Sequence, residues 1–175
     1  MKISATYLLL LAILPVFSSC KKDGVKKTGI EITDKDLTVC PDNADCEFLY
    51  TEGADISKQL LFQPGNYRLF WSSFRYSGID SRLYIRTPQD AREFYLKRQD
   101  FESKVLLTSI CPACFSIPMR PVEGYIKGIN VSPDKRADQT KWLLEVKLYL
   151  MPQGGSKVTD TLFIKQYFYP NFVIN

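Results

Sequence analysis

From about Ile30 onward the chain is written in short apolar segments of period two, broken by clusters of Gly, Pro, Asn and Asp. That pattern predicts antiparallel strands joined by turns, because successive side chains of a strand point to opposite faces. Over Tyr67 to Phe74, Tyr67, Leu69 and Trp71 fall on one side and Phe70 and Phe74 on the other, directly after the turn chemistry of Gln63-Pro64-Gly65-Asn66. Both sides are apolar, so this strand is expected to be well buried. Ser81 to Arg86 sets Leu83 and Ile85 against Arg82, Tyr84 and Arg86, a strand with one wet face. Lys104 to Ile110 resumes the same pattern.

The C-terminal third is the clearest. Val122 to Val131, Lys141 to Met151 and Thr161 to Tyr169 read as three strands of a meander, with polar links at 132–140 and 152–160. In the second, Trp142, Leu144, Val146, Leu148 and Leu150 project to one side and Lys141, Glu145 and Lys147 to the other. Burying that apolar row is worth about 10 kcal/mol of gross transfer free energy before chain entropy is subtracted, which predicts a central strand. Gly124 and Gly128 lie two pleats apart on one face and predict strong coiling or close approach of another element, with tight packing favoured over a ligand in the gap. The exception to the strand pattern is Thr87-Pro88-Gln89-Asp90, which carries helix-start chemistry and predicts one short helix from about Pro88 to Lys97, with Ala91, Phe94 and Tyr95 as its apolar stripe. The expected fold class is mainly β: an antiparallel β-sandwich or small barrel with one short helix.

The first residues follow a different rule. Lys2 supplies a positive n-region, Tyr7 to Phe17 an apolar stretch too short to span about 30 Å of hydrocarbon as a permanent anchor, and Ser18-Ser19 the small residues of a cleavage site. Residues 1–19 are expected to be an export signal. Phe17-Ser18-Ser19-Cys20 resembles the lipobox of bacterial lipoproteins. The resemblance implies diacylglycerol on the Cys20 sulfur, cleavage before that residue, acylation of the new amino terminus, and hence attachment to the membrane through lipid. Several acyl chains hold a protein far more firmly than one. Lys21 directly after the cysteine implies, by the same analogy, sorting to the outer membrane of the cell envelope, with periplasmic or surface display left open. Residues 20–29 carry Lys21, Lys22, Gly24, Lys26 and Lys27 with little apolar material and are expected to form a solvated tether, leaving 30–175 as one β-rich domain.

Charge narrows the partners. Of the formal net charge of +4, much sits in Lys2 and the tether, and the remaining Lys and Arg alternate with Asp and Glu, so no nucleic-acid partner is expected. The chain has no histidine, which excludes a Ser-His-Asp triad, a Cys-His dyad and any imidazole-ligated metal centre. No cofactor, metal or catalytic residue is predicted.

Lipidation of Cys20 leaves Cys40, Cys46, Cys111 and Cys114, enough for two disulfides in an oxidising compartment. Three pairings are open at this point. Pairing Cys40 with Cys46 and Cys111 with Cys114 needs no assumption about the fold. The crossed pairings would pin the N-terminal segment to the body. Cys111-Pro112-Ala113-Cys114 also admits a thiol–disulfide oxidoreductase reading, with Cys111 attacking and Cys114 resolving, and the preceding 105–110 resembles the strand before the active site of thioredoxin-like lipoproteins. Against it, Pro118 and Pro121 oppose the helix that such a fold requires. A four-cysteine zinc site is disfavoured by the same compartment and by the irregular spacing of Cys40 and Cys46.

Glu93, Asp100 and Glu102, with Arg92 and Arg98, read as a solvated charged face rather than a carboxylate pair for glycoside hydrolysis. Ser72, Ser73 and Ser77 lack a nucleophile motif. Aromatics are plentiful, and in Tyr167-Phe168-Tyr169-Pro170-Asn171-Phe172 consecutive rings must point to both sheet faces, which makes Tyr167, Tyr169 and Phe172 candidate binding aromatics for a protein or glycan ligand. The expected function is non-enzymatic binding or scaffolding by a lipid-tethered envelope domain.

Overall fold

The computed structural model describes residues 29–112 and 117–172. In chain order the elements are β1 (Asp45–Ile56), β2 (Phe62–Tyr76), β3 (Ile79–Pro88), β4 (Glu93–Lys97), helix α1 (Arg98–Lys104), β5 (Val105–Ile110), β6 (Met119–Asn130), a 3₁₀ turn (Ala137–Gln139), β7 (Trp142–Pro152) and β8 (Asp160–Pro170). The strands form one sheet in the order β4-β6-β7-β8-β1-β2-β3-β5, curled into a half-barrel. The fold is therefore mainly β with one short helix, as the periodicity predicts. All neighbours pair antiparallel except β1 and β8, which meet in parallel through Leu49 with Tyr169 and Tyr50 with Pro170.

The hollow of the half-barrel is the core. β7 lies between β6 and β8 and contributes Trp142, Leu144, Val146, Leu148 and Leu150 to it, the row its alternation marks. Phe70 from β2, Phe94 from β4 and Phe168 from β8 close around the Trp142 indole, with Phe70 centred 5.2 Å from Trp142 and 5.8 Å from Phe168. These tilted and edge-on contacts suit rings that carry a negative face and a positive edge. Gly128 admits the Phe94 ring: a Cβ there would lie 2.3 Å from a ring carbon. Gly124 has φ of +115°, and a Cβ there would lie 2.0 Å from the Lys147 carbonyl oxygen. Both glycines serve tight packing.

A smaller apolar cluster lies on the outer face. A bulge between Glu52 and Ala54 bends the β1–β2 hairpin, and its end brings Ala54, Ile56 and Phe62 onto Leu69, Trp71, Tyr84 and Leu106. Arg86 fastens the folded-back end by donating to the Asp55 carboxylate at 2.5 Å and to the Ile56 carbonyl at 3.1 Å. Near the other end, Thr38 bonds both ways with the backbone of Lys165, its N–H donating to the carbonyl at 2.7 Å and its hydroxyl accepting at 2.8 Å.

The helix differs from expectation in place. Residues 93–97 form strand β4, with Phe94 and Leu96 turned into the core, and the helix begins at Arg98. Thr87 does not cap a helix. It is buried in β3, where its hydroxyl donates to the Arg68 carbonyl at 3.3 Å and Pro88 pairs with Tyr67. The capping acid is Asp100, which accepts the Lys97 N–H at 3.0 Å. Local start chemistry at Thr87-Pro88 was overridden because pairing with β2 and burial of two alternating apolar side chains outweigh one cap.

Candidate functional site

One disulfide pairing is local. Cys40 and Cys46 are joined, with their Cα atoms 5.9 Å apart. Cys111 is also disulfide-bonded. Cys114 and the lipidation candidate Cys20 lie outside the described residues. With Cys40 and Cys46 committed to each other, a four-cysteine zinc site has no ligand set. Cys111 follows the end of β5, and only 111–118 separates β5 from β6, too short a stretch for the long helix of a thioredoxin-like site.

The binding aromatics do not converge. Tyr167 is half-buried on the outer face of β8, its ring under the Lys141 ammonium at 4.5 Å and its hydroxyl donating to Asp34 at 3.2 Å. Burial, and then the Asp34 carboxylate, push its phenol above the ordinary value. Tyr169 is exposed on the same face, whereas Phe172 lines a recess of about 160 Å³ with Tyr50 and Thr140. No single groove joins the three. Of the charged residues weighed for hydrolysis, Asp100 is committed to Lys104 at 2.7 Å and to the Lys97 N–H, and the ammonium holds its carboxyl below the ordinary value. Ser72 and Ser73 are buried, Ser73 donating to Glu47 at 3.0 Å.

An apolar hollow lies where the sheet fails to close. Its two edge strands are β4 and β5, and α1 runs between them. β4 pairs only with Tyr125–Ile129 of β6, so the Met119–Gly124 half of β6 has no partner on that side. β5 approaches this half, with Cα atoms within 8 Å, yet no ladder joins the two strands. At one end of the seam is an open cavity of about 430 Å³. Leu107 and Ile110 of β5, Ile117 just before β6, Met119 at its start, Leu150 of β7 and Leu162 of β8 supply its apolar lining. Leu107, Met119 and Leu162 also pack on the main core, so the cavity floor continues the interior. Ile110 and Ile117, at 50% and 65% exposure, stand open at its rim. The polar groups are few: the Ser81 and Ser109 hydroxyls, 3.2 Å apart, with Thr108, Asp160 and Thr161.

This volume falls in the range of small-molecule sites, and an apolar lining with a few polar groups is their usual composition. Among the described residues the polar members of the lining are Ser81, Thr108, Ser109, Asp160 and Thr161 alone, and the rest of the cavity wall is apolar. Sequence reading did not find it. Leu107, Ile110 and Ile117 look like ordinary strand residues, and only the order of strands in the sheet makes β5 an edge. No protein-family model matches the chain, and comparison with curated proteins and with solved structures finds no match.

Proposed function

We propose that this protein is a lipid-anchored component of the bacterial cell envelope whose β half-barrel is a non-enzymatic binding domain, holding a small apolar or amphipathic ligand in the cavity between β5 and β6. The observation that carries the reading is the open apolar cavity itself. Large side chains left facing a solvent-accessible hollow lose hydrophobic stabilisation unless something covers them, and a ligand supplies that cover. The anchor rests on the lipobox-like Phe17-Ser18-Ser19-Cys20, and Lys21 directly after the cysteine supports sorting to the outer membrane, with either face open.

Two measurements test the two halves. Labelled palmitate is expected to enter the protein in a bacterial host and to be lost in Cys20→Ser; incorporation unaffected by that change removes the anchor. An apolar environment-sensitive dye is expected to brighten on binding the folded domain, and Ile110→Lys with Ile117→Lys at the rim should suppress the signal without lowering the melting temperature. Equal brightening of this variant and the parent would place the dye elsewhere and remove the cavity as the site.

A further inference from the structure

The seam has a second compartment. A cleft of about 440 Å³ opens between α1 and the start of β6, floored by the buried Phe101 and Val105 and edged by Arg98, Glu102 and Arg120. A recess of about 300 Å³ shares Glu102 and Val105 with this cleft and Leu60 with the apolar cavity. The cleft and the apolar cavity succeed each other along the seam, Val105 and Arg120 lining the first and Leu107 and Met119 the second, whereas the recess, lined by Ile56, Ser57 and Leu106, lies on the outer side of β5.

Among the described residues most arginines are paired, and those at the cleft, like Arg92 elsewhere, are not. Arg68, Arg75, Arg82, Arg86 and Arg136 each hold a carboxylate within ion-pair distance. Arg98 and Arg120 have no ion pair or side-chain hydrogen bond among the described residues. Glu102 is the one acid lining their cleft, so one positive charge stays uncompensated there. At the far end of the seam the only ionisable side chain lining the cavity among the described residues is Asp160, which repels an anion. The seam therefore has a polarity: cationic at Val105, apolar and weakly anionic at Ile110.

We infer that the ligand is a single-chain anionic amphiphile of the long-chain carboxylate type, its head group held by Arg98 and Arg120 and its hydrocarbon chain laid along the seam into the cavity. This deepens the reading of the cavity as a binding site and rests on it. A guanidinium suits the head group because its planar fork matches a carboxylate and keeps its charge at any physiological pH.

The test uses the chain from residue 20 with Cys20→Ser, so that no covalent lipid competes, titrated calorimetrically with monomeric dodecanoate and with dodecanol. Dodecanoate is expected to bind about tenfold more tightly, the scale of a charged hydrogen bond. Arg98→Gln with Arg120→Gln should bring dodecanoate down to the affinity of dodecanol and leave dodecanol and the melting temperature unchanged. Glu102→Gln should tighten dodecanoate alone. Equal affinity of the two probes for the parent protein overturns the head-group assignment while leaving the apolar cavity standing. Binding of neither overturns the cavity reading as well. Binding of anionic phospholipid vesicles without binding of monomeric dodecanoate overturns the proposal in favour of a membrane surface.

Discussion

Arg68 is 8% exposed, and a guanidinium is tolerated there because each part of it is used. It donates to the Ala91 carbonyl at 2.9 Å, to the Gln89 carbonyl and to the Glu52 carboxylate, and it lies 4.5 Å from the centre of the Trp142 ring. It thereby holds the turn between β3 and β4. Replacing it with Met removes the donors to both loop carbonyls and the cation over Trp142 and is expected to lower unfolding stability by about 2 kcal/mol, whereas Glu52→Gln at a half-exposed partner should change it by less than about 1 kcal/mol; urea unfolding separates the two. Asp100 gives a pH dependence. Because its folded pKa lies below the ordinary 3.8, its contribution is complete above that value and is lost as pH falls through the folded pKa. Asp100→Asn should lower stability near neutrality by about 1 kcal/mol and flatten the acid limb of a stability profile. Gly124→Ala meets a carbonyl at a backbone angle that side chains avoid, and Gly128→Ala meets a ring that can shift, so thermal melting should show the greater loss at Gly124.

Among the elements, β7 was the most legible because its sheet position agrees with its side-chain pattern: one face fills the core, and Glu145 and Lys147 on the other remain partly exposed. Trp142→Ala should lower stability by about 4 kcal/mol, and loss of near-ultraviolet circular dichroism at lower urea would register it. β1 was not legible. Glu52-Gly53-Ala54 breaks its alternation at the bulge, although Phe48 and Tyr50 before it do turn inward. The 88–97 helix was misplaced because Ala91, Phe94 and Tyr95 fit a helical stripe as well as Phe94 and Leu96 fit a strand. Periodicity over so short a run decides nothing until β6 offers its edge. α1 buries only Phe101. Phe101→Ala should cost about 3 kcal/mol and, by loosening the helix from the seam, weaken dodecanoate more than an equally destabilising change in β7 does.

At the scale of the whole molecule, the Cys40–Cys46 bridge closes a short loop just before β1 enters the sheet. In the chain-entropy model a loop of this size contributes about 2 kcal/mol, so replacing both cysteines with serine should lower the urea midpoint modestly and leave the β-sheet circular dichroism intact. Complete unfolding on replacement would mean that the bridge is needed to hold the segment bonded through Thr38 to β8.

The sequence alone determined the strand-rich class, the meander of β6, β7 and β8, the inward row of Trp142 to Leu150 and the need for close approach at Gly124 and Gly128. Each of these is a local consequence of side chains alternating across a pleat. Only the tertiary structure decided which strands are edges, that β5 passes β6 without pairing, and that Arg98 and Arg120 share one cleft. Those facts depend on how distant segments are ordered around the sheet, and no spacing along the chain encodes that order.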